Sequence, residues 1–540
     1  MAYFSLHAYD ADVWLQEFRG LNQTDDGMNQ DIRYAAEEKN LETINGTLQP
    51  RAAIEVMPEA FDDRIETLTW FYRRWYEGDG SKGWMVAASG GKLYYKQTHE
   101  RTDWLQIEMP EGVTSFQSNV WSWVTYEINP VGANETIDVL VMSNDKDGMI
   151  MVIPPDRPFA WSSVKTQDWG YYGEDAQTKT TWERLMTNKW TIEPIEIPDG
   201  KKFGVIARSN ERVWGGAIPG NPDMLMYSAP YDPTDWEENA EIPEDGAGDV
   251  LQPSWDGDSF TALIPFGDQL LAFKQHRVWR IQGTNPGEYV FSEQYGGGTP
   301  YPATIATAID RVFLTNDDGL EIYDGMSVSP YMRDFIRRLW LTTTKSALHQ
   351  MCAVMHDRKY YLALPVNGSE VNNALIILDL EEGTFLYHDS IYIESLLSTP
   401  DGLLATSSSE PGHVLVIGHD SWVMGKSDGA ATKWITPWMD FGYKRIVKGG
   451  FDLYISPQVQ DEAVTLTFSI QTEKKTKTKQ YTIQPLTEQA IAVGKEQKYK
   501  RLHFGGSGRM FRLIIESEEN VTAPWRLVGG LHLVVETDPD

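Results

Sequence analysis

The chain has 540 residues, of which 41% are hydrophobic and 12% aromatic, and this composition excludes wholesale disorder because it supplies ample apolar surface to bury. The formal charge is −31, from 47 Lys and Arg against 78 Asp and Glu, which argues against ordinary nucleic-acid binding because that needs a basic surface. Cys352 is the only cysteine, so an intrachain disulfide framework and a cysteine-rich zinc site are both excluded.

The first 80 residues are expected to form an N-terminal arm and first strands that dock to neighbours or close the domain that follows. Residues 1–10 lack the basic start and apolar run of a secretory signal, and no apolar run in the chain approaches the roughly 18 residues of a membrane span. We therefore predict no membrane span. Helical periodicity is scarce, with residues 334–339 the clearest candidate and residues 61–76 a weaker one.

One hairpin form recurs along the chain: an apolar strand, a tight polar turn and a second apolar strand. Seven turns of this kind follow one another at Gly90-Gly91, Asn144 to Gly148, Asn210-Glu211, Gly267-Asp268, Asp310-Arg311, Asp357-Arg358 and Asp401-Gly402. The later copies recur about every 40–50 residues, which is the spacing of four-stranded propeller blades. We predict an all-β fold with a β-propeller of about seven blades, six to eight being compatible with the pattern, over residues 81–430. The alternative is a run of unrelated sandwich hairpins.

Residues 431–540 differ in both pattern and charge from the repeats. Longer alternating strands are predicted at residues 451–455, 465–470, 511–515 and 531–535, which is typical of a β-sandwich. These 110 residues carry 15 basic and 13 acidic side chains, a balance of +2, whereas residues 1–430 carry 32 − 65 = −33. The sequence therefore predicts a separate C-terminal β-sandwich over residues 431–540.

Aspartates cluster in three short segments, residues 145–148, 256–258 and 316–319. Calcium loops use such residues, but none of the three continues to the full spacing with a terminal Glu, and Asp and Gly are also the usual residues of hairpin turns. The turn interpretation is favoured, and two of the segments resemble the structural Asp-box turns of sialidase propellers. We expect their acids to lie at propeller rims or along a channel: Asp145, Asp147, Asp256, Asp258, Asp317 and Asp318.

Catalytic motifs are missing from the sequence. The ten histidines are scattered, and no nucleophile elbow, phosphate loop or dinucleotide fingerprint occurs. We predict no catalytic residue, no metal site and no cofactor. A glycosidase needs two carboxylates placed across a sugar, and 78 acids do not identify such a pair, so glycan hydrolysis stays open as an alternative.

A lysine-rich segment lies in the C-terminal region, and it places Lys475, Lys477 and Lys479 on one face if it is a strand. Lysines guard the free edge of many sheets, which is the simpler interpretation. The functional interpretation is a docking stripe for an acidic neighbour, including a second copy of this chain.

Four segments resemble a known family. They are residues 20–26 with Asn40 and residues 45–51; residues 212–223 with 227–228 and 232–236; residues 434–442 with Lys444 and Lys448; and residues 500–504, 512–515 and 528–534. Together they are similar to the packaged-DNA stabilisation family, the tail hub or nozzle of short-tailed bacteriophages. Residues 49–51 read Gln-Pro-Arg where that family usually has Arg-Pro-Gly.

The resemblance implies a structural virion protein of a phage tail, made in the host cytoplasm and not an enzyme. It implies a homo-oligomeric ring, commonly a hexamer, that contacts the portal, the adaptor and other tail proteins. Such a ring extends the channel through which double-stranded DNA passes without sequence-specific binding, and it helps retain and release the genome. The alternative is a carbohydrate-binding or glycan-hydrolysing propeller that recognises the host receptor, for which the 20 tryptophans would be suited.

Overall fold

The structure is a computed structural model, and it describes residues 4–7, 10–24, 30–72, 83–97, 103–128, 137–154, 190–252, 257–440, 447–485 and 499–537. Nearly all regular structure in these residues is β-strand, so the all-β prediction is confirmed. The helices of the described residues are short. They are α1 (Arg337–Trp340), α2 (Ser421–Met424) and the 3-10 helices Pro198–Gly200, Pro286–Glu288, Pro302–Thr304, Arg333–Ile336 and Lys345–Gln350.

The first part of the chain forms six strands: β1 (Phe4–His7), β2 (Asp10–Leu15), β3 (Glu37–Lys39), β4 (Leu41–Ile44), β5 (Thr47–Pro50) and β6 (Ile54–Val56).

Seven four-stranded antiparallel sheets follow, and they are the blades of the predicted propeller. Blades 1 to 3 are β7 (Ile65–Tyr72), β8 (Gly83–Ser89), β9 (Lys92–Gln97) and β10 (Leu105–Gln106); β11 (Ser122–Ile128), β12 (Ile137–Asn144), β13 (Gly148–Ile153) and β14 (Thr191–Ile195); and β15 (Val205–Ser209), β16 (Arg212–Gly216), β17 (Met224–Tyr227) and β18 (Gly248–Leu251).

Blades 4 to 6 are β19 (Phe260–Phe266), β20 (Gln269–Lys274), β21 (Val278–Gln282) and β22 (Val290–Glu293); β23 (Ala306–Thr307), β24 (Val312–Asn316), β25 (Gly319–Tyr323) and β26 (Val328–Pro330); and β27 (Cys352–His356), β28 (Lys359–Leu364), β29 (Ala374–Asp379) and β30 (Thr384–Asp389). Blade 7 contains β31 (Ile393–Thr399), β32 (Gly402–Ser407) and β33 (Val414–Ile417), with β6 as its fourth strand.

A separate apolar cluster fills each gap between consecutive blades, including the gap between blade 7 and blade 1. Because neighbouring side chains of a strand point to opposite faces, a middle strand serves two clusters. In β8, Met85 and Ala87 face blade 7, whereas Val86 and Ala88 face blade 2. Packing on both faces explains why the repeated strands are continuous apolar runs. Since every gap between blades is filled, the predicted propeller is confirmed, with seven blades in a closed disc.

The propeller is closed by strands from both ends of its sequence. The innermost strand of the last blade, β31, lies against β7, the innermost strand of the first. The outermost strand of blade 7 is β6, which pairs antiparallel with β33 and sets Val56 opposite Leu415. Blade 7 is therefore complete only when the N-terminal segment has docked.

The predicted C-terminal sandwich is also confirmed. Its remaining strands are β34 (Thr432–Ile435), β35 (Lys448–Val459), β36 (Val464–Thr472), β37 (Thr476–Ile483), β38 (Lys500–Gly508), β39 (Phe511–Ser517) and β40 (Trp525–Thr537). One sheet has the order β1-β2-β40-β35-β38 with the β4-β5 hairpin attached to β40, and the other has the order β3-β34-β39-β36-β37. Leu15 and Leu48 of the N-terminal segment are buried in the sandwich core.

Residues 1–80 contribute strands to both domains, since β1 to β5 belong to the sandwich, β6 to blade 7 and β7 to blade 1. Residues 61–76 are not helical where they are described, because Ile65–Tyr72 is the innermost strand of blade 1. All seven predicted hairpins fall in different blades, but the first two join the second and third strands, whereas the last five join the first and second.

A buried polar joint, made of Asn40, Arg51, Asp389 and Asp428, holds the N-terminal segment between blade 6 and the sandwich. Arg51 is 4% exposed, donates to Asn40 Oδ1 at 2.8 Å and to the Asp389 carbonyl at 2.6 Å, and forms an ion pair with Asp428. Asn40, in the left-handed region at φ 58°, donates to Asp389 Oδ1 at 2.6 Å. The joint therefore ties together three segments that are distant in sequence.

Two buried acids, Glu38 and Glu42, lie beside the joint. Burial raises the pKa of Glu42 to about 8, although the Ala52 amide, Lys359 and Gln49 oppose this shift. Burial and the neighbouring Glu42 raise the pKa of Glu38 well above its usual range. Both acids favour the protonated form in the folded state.

Replacing Arg51 with Ala should lower the free energy of unfolding by about 3–5 kcal/mol, because it leaves the buried Asp428 without its cation. The matched control is Arg358→Ala. Its ion pair with Glu381 is exposed, 72% and 61% respectively, so its loss should cost about 0–1 kcal/mol. Urea denaturation of both variants measures the difference, and equal losses would show that the joint is not a stability determinant.

Replacing Glu42 with Gln should raise the melting temperature at pH 9 by at least about 2 °C and have little effect at pH 5. The folded-state pKa lies above the unfolded value, so the stability linked to this group is fully present below about pH 4.5 and is lost as the pH rises through about 8. Glutamine stays neutral and escapes that loss. The exposed Glu382→Gln is the control, and a Glu42→Gln shift of the same size at both pH values would contradict the interpretation.

Candidate functional site

The described members of the predicted rim acids lie at one end of the propeller. Successive strands of a blade are antiparallel, so the turns between second and third strands lie at the same end of the propeller as the connectors between blades. We call this end the connector end. Asp145 and Asp147 lie in the β12–β13 turn, and Asp317 and Asp318 lie in the β24–β25 turn. Asp258 precedes β19 in the connector from blade 3. Asp256 lies outside the described residues.

Three of these acids accept hydrogen bonds from neighbouring segments through their carboxylates, and Asp317 does so from the Tyr301 hydroxyl. Asp147 accepts from the Gln117 amide at 2.8 Å and the Ser118 amide at 3.1 Å. Asp258 is 7% exposed and accepts from the amides of Gln275 and His276 at 3.1 and 2.9 Å. Within the described part of the chain no group of three or more His, Cys, Asp or Glu is placed to hold a metal ion. The geometry favours a role in holding adjacent turns and connectors together for these three acids, whereas Asp145 keeps its side chain 43% exposed beside Lys146.

A second set of acids lies at the opposite end, which we call the inner-turn end, where the first and second strands of each blade join. Five consecutive blades each place one exposed carboxylate there, on Glu211, Asp268, Asp310, Asp357 and Asp401. The sequence analysis used these turns to find the blades but did not propose them as rim acids. The sequence did contain a signal for these rim acids, because the turn after the innermost strand of a blade lies near the propeller axis.

A cavity of about 730 Å³ opens at the inner-turn end between the turns of blades 5, 6 and 7 and the end of β7. We call it the axial cavity. Ile309, fully exposed, and Trp70 supply apolar surface, and Arg358 is paired with Glu381. The sequence analysis did not identify this cavity.

His356 is the central polar group of the axial cavity. Its Nδ1 is 2.9 Å from Ser398 Oγ, and its Nε2 is 3.4 Å from the Asp357 carboxylate. Burial lowers the pKa of His356, Asp357 opposes this shift and His419 adds to it. In hydrolytic triads a buried carboxylate orients the imidazole, whereas the Asp357 side chain is 77% exposed. The geometry favours a hydrogen-bonding role for Ser398 over a nucleophilic one.

The predicted lysine stripe lies at the edge of the sandwich. Lys477 and Lys479 are on β37, an edge strand, opposite the buried Ile470 and Phe468, whereas Lys475 lies in the turn before the strand. All three side chains are exposed. Two lysines on the inward side of an edge strand fit both edge protection and docking.

The tryptophans bear on glycan recognition, because sugar sites commonly present exposed aromatic rings. Among the described tryptophans only Trp14 is exposed, at 44%, and it belongs to the sandwich. The described propeller rims present no cluster of exposed tryptophan. None of the helices in the described ranges is long and apolar enough to cross a membrane.

No family model matches the chain, and no curated protein matches it. Solved structures do match it. BBS1N in complex with ARL6DN has 11% identity, a TM-score of 0.37, and coverage of 69% of this chain and 97% of that one. The Pan2 WD40 domain of Neurospora crassa has 8% identity, a TM-score of 0.35, and coverage of 69% and 96%.

PorZ, an essential bacterial surface component of the type-IX secretion system of Porphyromonas gingivalis, has 11% identity and a TM-score of 0.38. The match covers 85% of this chain and 62% of PorZ. Similarities at these levels of identity and superposition carry no argument about function.

Replacing Asp258 with Ala should lower the free energy of unfolding by about 1–3 kcal/mol, because two backbone amides lose their acceptor. The exposed Asp318→Ala is the control and should change it by less than about 0.5 kcal/mol. Added calcium should shift the melting temperature by less than about 1 °C, since a ligand stabilises only the state it binds. A calcium-dependent rise that Asp258→Ala abolishes would restore the ligand-loop interpretation.

Proposed function

We propose that this chain is a structural protein of a bacteriophage tail, the hub or nozzle that extends the DNA channel and helps retain and release the genome. Its partners would be further copies of itself in a ring, commonly six, together with the portal, the adaptor and other tail proteins. Its place would be the virion.

The observation that carries the proposal is the position of the segments that resemble the tail-hub family. A side chain at Gly20 would place its Cβ 2.0 Å from the Phe385 carbonyl, so the N-terminal segment can follow blade 6 only with glycine there. Asn40 and Arg51, from the same resemblance, make the buried joint. These residues serve the architecture of the whole body, which supports a structural role.

A second resembling segment also has an architectural task. Arg212 is 1% exposed and donates to the carbonyls of Ser228 and Gly246 at 2.7 and 2.6 Å. Trp236 is buried and packs on Phe203, with ring centroids 5.0 Å apart. Both residues hold the long loop between β17 and β18 against blade 3.

Charge and tryptophan burial favour the tail role over receptor recognition. Residues 1–430 carry a balance of −33, and an acidic wall repels phosphate and keeps passing DNA mobile, whereas a basic wall would bind it tightly. A sugar-binding propeller that uses its tryptophans would cluster exposed tryptophan rings at a rim, and the described rims present no such cluster. We further infer that the protein is not an enzyme.

Purified protein should bind a short DNA duplex no more tightly than about 10 µM in a gel shift at low salt, because non-specific affinity comes from basic groups. It should release no reducing sugar from host capsule, lipopolysaccharide or peptidoglycan. Tight duplex binding would contradict a wall that lets DNA slide. Sugar release abolished by replacing a single carboxylate would establish the glycan-hydrolysing alternative.

A further inference from the structure

The open edge of the sandwich carries a concentration of positive charge that is exceptional in this acidic chain. We call it the basic edge, and it comprises seven exposed side chains on β37, β38 and the flanking turns: Lys474, Lys475, Lys477, Lys479, Lys500, Arg501 and Arg509. The two strands belong to different sheets but lie side by side. Lys479 Nζ is 5.9 Å from the Phe504 ring centroid, and Lys500 Nζ is 5.2 Å from that of Tyr481.

Little of this charge is neutralised locally. Arg501 pairs with Asp452 at 2.6 Å, but Lys475, Lys477, Lys479 and Lys500 form no ion pair with a carboxylate of the described residues. The one acid in the same turn, Glu473, accepts from the amides of Arg509 and Met510 at 2.7 and 3.1 Å. The basic edge therefore presents unpaired cations to an incoming surface.

The opposite charge is concentrated in one loop of blade 3, between β17 and β18. Residues 231–250 contain neither Lys nor Arg. We call this the acidic loop, and it comprises eight exposed acids, seven between the two strands and Asp249 near the start of β18: Asp232, Asp235, Glu237, Glu238, Glu241, Glu244, Asp245 and Asp249. Two exposed apolar side chains lie among them, Tyr231 at 68% and Ile242 at 52%, so the loop offers apolar contact as well as charge.

The acidic loop has a defined backbone conformation. Arg212 holds the carbonyls of Glu244 and Gly246, and the Ala247 amide donates to the Glu237 carbonyl at 3.0 Å. The Asn239 side chain accepts from the amides of Glu241 and Ile242, both at 3.0 Å. A loop fixed in this way loses little conformational entropy on binding.

The two surfaces lie on opposite sides of the molecule. The sandwich packs on blade 6 through β3 and β4 against β30, and β37 is at the edge of its sheet that is farthest from β3. Blade 3 is three blades away around a disc of seven. Two complementary surfaces on opposite sides of one chain generate a head-to-tail contact between copies. Such contacts form a closed ring when the rotation from each copy to the next brings the last copy back to the first.

We propose that the basic edge of one copy binds the acidic loop of the next, and that this contact is the repeating interface of a head-to-tail assembly. The inference rests on the proposed function in that it supplies the interface of the proposed ring. The occupant is a second copy of this chain and not DNA, because the acidic loop offers matching charge on a fixed backbone together with apolar contacts.

A charge-swap experiment tests the contact. The edge variant carries Lys475→Glu, Lys477→Glu and Lys479→Glu, and the loop variant carries Glu237→Lys, Glu238→Lys and Glu241→Lys. A control with the same change in charge elsewhere carries Lys146→Glu, Lys345→Glu and Lys426→Glu. Sedimentation velocity at about 20 mM and about 300 mM salt measures association, since screening grows over this range. Melting curves verify that each variant is folded.

Wild type and the control should self-associate at low salt, and each swap variant alone should associate at least about tenfold more weakly. A mixture of the two variants should recover association, because the reversed edge of one then meets the reversed loop of the other. A single chain carrying all six changes should recover it as well.

Two results would overturn the contact: wild type that stays monomeric at low salt, or swap variants that associate as wild type does. Duplex DNA bound by wild type and lost in the edge variant would assign the basic edge to nucleic acid and also overturn it. Failure of the contact leaves the tail proposal standing, because the ring could use another surface. If mixing the two swap variants recovers association but the chain is absent from purified phage particles, only the tail proposal is contradicted.

Discussion

The architecture depends on one constraint: the N-terminal segment passes from the sandwich to blade 7 of the propeller within a few residues. β5 ends at Pro50 in the sandwich, and β6 begins at Ile54 as the outermost strand of blade 7. Arg51 lies between them, and its three partners come from the N-terminal segment, blade 6 and the linker to the sandwich. The propeller therefore cannot complete its last blade without bringing the sandwich strands with it, and the two domains form one body.

A continuous body of this kind supports the proposed structural role. The apolar clusters between blades make the disc continuous, and the joint couples the disc to the sandwich without a flexible linker. Charge is distributed unevenly over this body, with acids on blade 3 and at the inner-turn end and cations at the outer edge of the sandwich. In the proposed ring, such segregation would give each copy a defined orientation relative to the next, because like-charged surfaces repel when the register is wrong.

The propeller could be predicted from sequence because its hairpins are local. A turn such as Asp357-Arg358 and its two apolar strands lie within about a dozen residues, so their pattern carries the fold. Closing the propeller was one of the two roles expected of residues 1–80, but the strand that does so could not be located from sequence, because β6 has only three residues and its partner β33 is more than 350 positions away. A pairing of that separation leaves no periodic signal in the chain.

The candidate surfaces likewise combine local features that the sequence predicts with long-range contacts that it does not. The lysines of residues 475–479 could be found from sequence because alternate residues of one strand share a face, but Lys500 and Arg501 join them only through the packing of β37 against β38. The acidic loop was not predicted from the sequence, and its fixed shape depends on Arg212, which is buried beneath it. His356 and Ser398 come from different blades, and the packing of β27 against β31 brings them together.

Quantitative mass spectrometry of purified phage particles from a culture that expresses this chain tests the proposed tail role most directly. The account predicts that the chain is present in every particle in a fixed low copy number, about six, as expected for a closed ring. Absence from particles that retain their DNA, or a variable copy number that falls on washing, would contradict a structural role in the tail.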